Sequence, residues 1–97
     1  MPTYIVLSKW TSEGIKTAKE SPSRVDAARK ELPASGMTLK AFYLVMGRYD
    51  HVLIIEAPDD ATFAKALVAI GAQGKIQTET LRAFTEDEYR DIVSSVA

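Results

Sequence analysis

Ninety-seven residues, 46% hydrophobic and 26% charged, describe one globular domain with a core of its own and no room for a second. Twelve basic against thirteen acidic residues give a formal charge of -1, and no basic block stands out, which excludes a phosphate-driven nucleic-acid interface. There is no Cys, so disulfides and thiolate metal sites are excluded too. No stretch approaches the roughly 20 apolar residues that span a bilayer, and the first residues lack the cationic start of a signal peptide. The expectation is a soluble, cytoplasmic protein without membrane contact.

The first strand is read over Thr3 to Trp10. Tyr4, Val6, Ser8 and Trp10 share one of its faces, and Thr3, Ile5, Leu7 and Lys9 the other. Apolar groups on both faces predict that both are covered. Thr11 to Glu20 is polar and reads as a loop with one helical turn around Ile15 to Ala18. A helix then opens with Ser21 as cap and Pro22 at its first position, where the missing N–H costs nothing. Val25, Ala28 and Leu32 recur at helical spacing, and Pro33 and Gly36 end the helix.

Thr38 to Met46 reads as a second strand and His51 to Ala57 as a third, joined by a turn at Gly47-Arg48-Tyr49-Asp50. Pro58-Asp59-Asp60 opens a second helix with carboxylates at the positive end of its dipole. Phe63, Leu67 and Ile70, with Ala64 and Val68 beside them, form its buried stripe, and Gly71 and Gly74 mark its exit. Ile76 to Phe84 is the fourth strand. Thr85-Glu86-Asp87-Glu88 has the pattern of a capping box ahead of a short terminal helix carrying Tyr89, Ile92, Val93 and Val96.

The order β-α-β-β-α-β with a tail helix predicts an α+β, ferredoxin-like fold: a four-stranded antiparallel sheet with both long helices on one face. The other face, of roughly 400 Å² at about 4.8 Å strand spacing, remains apolar and calls for a partner. A homodimer or higher homo-oligomer through that face is expected, with Val6 among the residues that bury there.

Gly47-Arg48-Tyr49-Asp50 resembles the signature of the GYD family, with Arg48 in the variable position. The resemblance extends to Tyr4–Thr11, Glu56–Asp60 and Thr78–Glu88, nearly the whole chain. It implies a single domain over residues 1–97, a dimeric α/β barrel of the ferredoxin-like superfamily, a bacterial or archaeal source, and no settled biochemical role.

Among chemically capable residues, His51 is the only imidazole and a candidate general base, or else a half-exposed residue at a strand start. Asp50 precedes it, but neighbouring strand residues point to opposite faces, which disfavours a dyad. Asp50 and Tyr49 serve either as turn chemistry or as ligand contacts. Trp10 and Tyr43 are candidate apolar walls of a cleft between the helix-free face and a dimer partner, with Arg48, Tyr49, Asp50 and His51 as its polar end. The antiparallel order places the end of the first strand beside the start of the third, so Trp10 and His51 should lie within roughly 10 Å. Thr78, Thr80 and Arg82 line one face of the fourth strand and Glu79 the other, as a protected edge strand or a ligand wall would.

One His and scattered carboxylates offer no metal centre, and no nucleotide, hydrolase or metalloprotease motif appears, so no cofactor is implied. Three functions remain open: a small-molecule binding or sensing dimer, a cofactor-independent monooxygenase or isomerase for an aromatic or enolic metabolite, and an oligomerisation module. The chain has no Asn, which counts against the quinone-forming type of such enzymes.

Overall fold

A computed structural model describes residues 1–97. The elements run β1 (Thr3–Trp10), α1 (Ser12–Ile15), α2 (Ser21–Glu31), β2 (Thr38–Leu44), β3 (His51–Glu56), α3 (Asp60–Ala72), β4 (Ile76–Ala83) and α4 (Glu86–Ser94). The four strands form one sheet in the order β2-β3-β1-β4, with every neighbouring pair antiparallel. This is the ferredoxin-like α+β arrangement, and β4 is an edge strand.

Registers decide what faces the helices. β1 pairs Tyr4 with Ile55, Val6 with Leu53 and Ser8 with His51. Those residues meet α2 and α3, and the buried core consists of Tyr4, Val6, Met37, Leu39, Ile55, Ala57 and Phe63. Phe63 of α3 stacks on Tyr4 with ring centroids 4.0 Å apart and planes at 9°. Such a pair adds about 0.5–1.5 kcal/mol beyond its buried area. The Tyr4 hydroxyl donates to the Asp60 carboxylate, and burial, reinforced by that acceptor, pushes the phenol up to about 12.

Val6 therefore belongs to the core under the helices, not to a dimer face. Ile5, Leu7, Val52 and Ile54 take the opposite, helix-free face, together with Tyr43 and Leu81. In β2 a bulge between Leu39 and Ala41 shifts the alternation by one residue. Leu39 and Phe42 consequently both face the helices, and Tyr43 points away from them.

Several boundaries move for local reasons. The loop after β1 holds α1 and a 3-10 turn at Ala18–Glu20 that runs straight into α2. Ser21 is thus already helical, and its hydroxyl donates to Ala18 O (2.6 Å) rather than capping the helix. β2 stops at Leu44 instead of Met46, because Val45 N bonds Asp50 O at 2.8 Å and closes a loop over residues 45–50. The caps expected further on are present. Asp59 accepts from Thr62 N, and Thr85 and Glu88 bond each other's backbone reciprocally.

Two glycines answer to different constraints. Gly47 has φ +132° with nothing within 4 Å of an added Cβ, so its backbone conformation alone excludes other side chains. At Gly14 an added Cβ would stand 1.9 Å from Lys75 O, where α1 is strapped to the entrance of β4 by Thr11 N→Lys75 O and Thr11 Oγ1→Gly74 O.

Gly47→Val is expected to cost about 1 kcal/mol or more through backbone strain, and Gly14→Ala about 1–3 kcal/mol through overpacking. Urea denaturation measures both, and an unchanged midpoint would contradict the corresponding constraint. Val6→Asp is expected to abolish the folded circular dichroism spectrum, since it places an unpaired carboxylate in the core. A folded monomer would instead restore Val6 to an interface.

Candidate functional site: a cavity between sheet and helices

The Ser8–His51 pairing brings a hydroxyl and the sole imidazole side by side under the helices. Ser8 is 1% exposed and His51 5%, and Ser8 Oγ lies 2.7 Å from His51 Nδ1. His51 is therefore a buried residue and not the half-exposed strand start considered from the sequence. Trp10 meets the imidazole edge-on at 4.5 Å and 84°, and Phe42 flanks it at 5.4 Å. The Trp10–His51 distance falls within the range that the strand order predicts. Burial lowers the His51 pKa below its ordinary value, with Asp50 opposing, so the ring is neutral at pH 7.

These residues form the sheet side of a cavity of about 460 Å³. Leu39, Leu53 and Phe42 continue its floor. Its roof is helical, from Val25 and Ala28 of α2, Leu32 just past the end of that helix, and Ala66, Ala69 and Ile70 of α3. The physical origin of the space is residue size: the alanines at sheet-facing helix positions are too short to fill the gap between helix and sheet there. Accordingly α2 buries none of its residues fully. A second hollow of about 490 Å³, reached past Trp10, Phe42 and His51, extends the space under Pro22 and Leu44.

This cavity lies on the helix-covered side of the sheet, whereas the cleft expected from the sequence lay between the helix-free face and a dimer partner. Of the residues named from the sequence, Trp10 and His51 line it together. Tyr43 does not, since the β2 bulge turns it to the far face. Arg48 and Tyr49 also stand outside the cavity. Arg48 lies 6.0 Å from the Tyr49 ring centre, and the Tyr49 hydroxyl donates to Glu79 Oε1 at 2.8 Å, with that carboxylate raising its pKa.

Asp50 supports the site from behind. Its Oδ2 accepts from Trp10 N at 3.0 Å, and its N–H donates to Ser8 O at 2.8 Å. It clasps the hairpin end to the strand that carries both Ser8 and Trp10, and makes no bond to His51. This is turn chemistry extended across strands.

Ser8, Phe42, Arg24 and Lys75 were not singled out from the sequence as site residues. The available signal was Ser8 itself, a small polar residue on a face otherwise filled by Tyr4, Val6 and Trp10. The alanines at sheet-facing helix positions were a second signal. No group of three or more His, Asp or Glu side chains has metal-site geometry, and no helix is long and apolar enough to cross a membrane.

An antiparallel α+β sheet with one helix-covered face defines a ferredoxin-like fold, here with a cavity beneath the helices. The chain belongs to the GYD domain family, whose sequence pattern matches residues 4–93. A Thermus thermophilus protein named "Glutamine synthetase and cystathionine beta-lyase binding protein" is 40% identical over 84 residues, 86% of this chain and 88% of that protein. The crystal structure of TTHA0845, also from Thermus thermophilus, superposes with a TM-score of 0.54 at 24% identity, covering 88% of this chain and 95% of that one, a likeness of fold.

Two outcomes test this geometry. Because the folded-state pKa of His51 lies below that of the unfolded chain, stability is full above the ordinary value of 6.5 and declines as pH falls through it toward the folded pKa. The melting temperature should therefore drop between pH 7.5 and 5.5, and His51→Gln should flatten that slope. An identical slope in the variant would refute the linkage. Asp50→Ala should destabilise by about 1.5–3 kcal/mol, the range for a hydrogen bond to a charged group, with Asp50→Asn recovering most of it.

Proposed function

We propose that this GYD-family protein is a homodimeric small-molecule binding or sensing module whose ligand occupies the cavity between the sheet and helices α2 and α3. The observation that carries this reading is the cavity itself. It is walled by Trp10, Phe42, Leu39 and Leu53 and holds one buried polar pair, Ser8–His51. Its volume lies within the roughly 300–1,000 Å³ of small-molecule sites, and its composition, mostly apolar with few polar groups, is theirs as well.

The dimer in this reading pairs the helix-free sheet faces through Ile5, Leu7, Val52, Ile54, Tyr43 and Leu81. A contiguous apolar face of this kind is unusual on a monomer. It leaves the cavity on the outer side of each subunit, so binding does not depend on the partner's residues.

Partner proteins offer a second reading, carried by two observations. A relative at 40% identity is named as a binder of two enzymes. Helix α4 presents Tyr89, Ile92 and Val93 to solvent, Val96 is exposed just beyond it, and Met46 on the β2–β3 loop is 98% exposed. A docking role for α4 is compatible with a ligand held elsewhere in the domain.

Trp10 is the only tryptophan and lines the cavity, so its fluorescence reports occupancy directly. A panel of one- and two-ring aromatic metabolites is expected to contain compounds that quench or shift it saturably. A compound at 100 times its Kd should also stabilise the protein by about 2.7 kcal/mol. A panel with no spectral or thermal response would remove the small-molecule reading. Conversion of a bound compound, lost in His51→Ala with binding retained, would replace the sensor by an enzyme. Light scattering at micromolar concentration is expected to give twice the 10.7 kDa chain mass, and a monomer throughout would overturn the dimer.

A further inference from the structure

We infer that the cavity selects an aromatic or otherwise apolar molecule bearing one carboxylate or comparable anionic acceptor group, read by Arg24, Lys75 and the free ring nitrogen of His51. The inference rests on the small-molecule reading above and names the ligand class for the same cavity.

Its first support is the hydrogen-bond state of His51. The Ser8 hydroxyl is buried, and its one partner is His51 Nδ1. If Nδ1 carried the proton, the hydroxyl hydrogen would be left without an acceptor, which costs the full desolvation of that group. The hydroxyl therefore donates to Nδ1, and the neutral ring carries its proton on Nε2. Nε2 has no hydrogen-bond partner in the chain and is not sealed off. The imidazole accordingly offers the cavity a donor, and what it takes from a ligand is an acceptor.

The second support is charge. Arg24 and Lys75 both line the cavity and are half-buried. Arg24 donates to Thr17 O and Thr17 Oγ1, both neutral acceptors. Neither cation has a carboxylate within ion-pair distance; the three ion pairs of the chain involve Arg29, Lys40 and Arg90. Glu31 is the only acid on the lining, leaving an excess of one positive charge around an apolar space. Half-buried cations without counter-ions attract an anionic group far more than solvated ones do.

Three isosteric probes test this by calorimetry: biphenyl-4-carboxylate, biphenyl-4-methanol and biphenyl-4-methylammonium. The carboxylate is expected to bind at least tenfold tighter than the alcohol, and the ammonium weakest. In Arg24→Gln/Lys75→Gln that preference should fall below threefold. Should the double variant fail to fold, salt serves instead. Raising it from 20 to 500 mM should weaken the carboxylate several-fold and spare the alcohol. An ammonium that binds as tightly as the carboxylate, or a preference insensitive to both the variant and salt, overturns the inference while leaving the cavity a binding site. Failure of all three probes to bind removes the cavity reading along with it. Nitrogen-15 spectra of the single imidazole above pH 7 are expected to show the proton on Nε2, and a proton on Nδ1 would overturn the donor assignment.

Discussion

The pairing of β1 with β3 is the constraint from which the rest of the molecule follows. A strand's side chains alternate strictly, so one registration, Ser8 opposite His51, settles the face of every residue on both strands. It places Tyr4, Val6, Ile55 and Leu53 under the helices and sends Ile5, Leu7, Val52 and Ile54 to the other side. A slip of one residue would exchange core for surface. Asp50 secures the register chemically, by holding Trp10 N with its carboxylate and Ser8 O with its amide.

The two ends of the sheet–helix layer are built differently. Near Tyr4 the layer is closed, since Phe63 stacks flat on the phenol and Asp60 satisfies its hydroxyl. Toward Trp10 the facing helix residues include Ala28, Ala66 and Ala69, and the layer opens into the cavity. Close packing and open space are thereby separated along one strand, β1, whose first half anchors α3 and whose second half supplies Ser8 and Trp10 to the cavity wall. The α1 segment limits this open end by strapping Thr11 and Gly14 onto Gly74 and Lys75, which also fixes the backbone from which Lys75 projects.

The imidazole sits where three elements meet: β1 gives its hydroxyl partner, β2 its Phe42 flank, and β3 the residue itself. Burial keeps it neutral, and its bond to Ser8 leaves one ring nitrogen for the cavity. In a space lined chiefly by hydrocarbon, one oriented polar group discriminates among ligands more sharply than several solvated ones, because an unmet buried partner is costly. The helix-free face carries a different kind of surface, formed by Ile5, Leu7, Val52 and Ile54.

Much of the fold was legible in the sequence. The alternation of β1, the Pro22 helix start, the stripe at Phe63, Leu67 and Ile70, and the Thr85–Glu88 capping box are local signals, each set by chemistry within a few residues. The proximity of Trp10 to His51 also followed, since it needs only strand order and strand direction. Three things were decided by tertiary structure alone. The face covered by α2 and α3 is one, because both faces of β1 are apolar and alternation cannot say which the helices choose. The orientation of Tyr43 is another. The bulge after Leu39 reverses the parity of β2, and nothing in Leu39-Lys40-Ala41 announces an extra residue. The cavity is the third. It exists where small helix residues fall opposite Ser8, Phe42 and His51, a coincidence of elements far apart in the chain that no local pattern encodes.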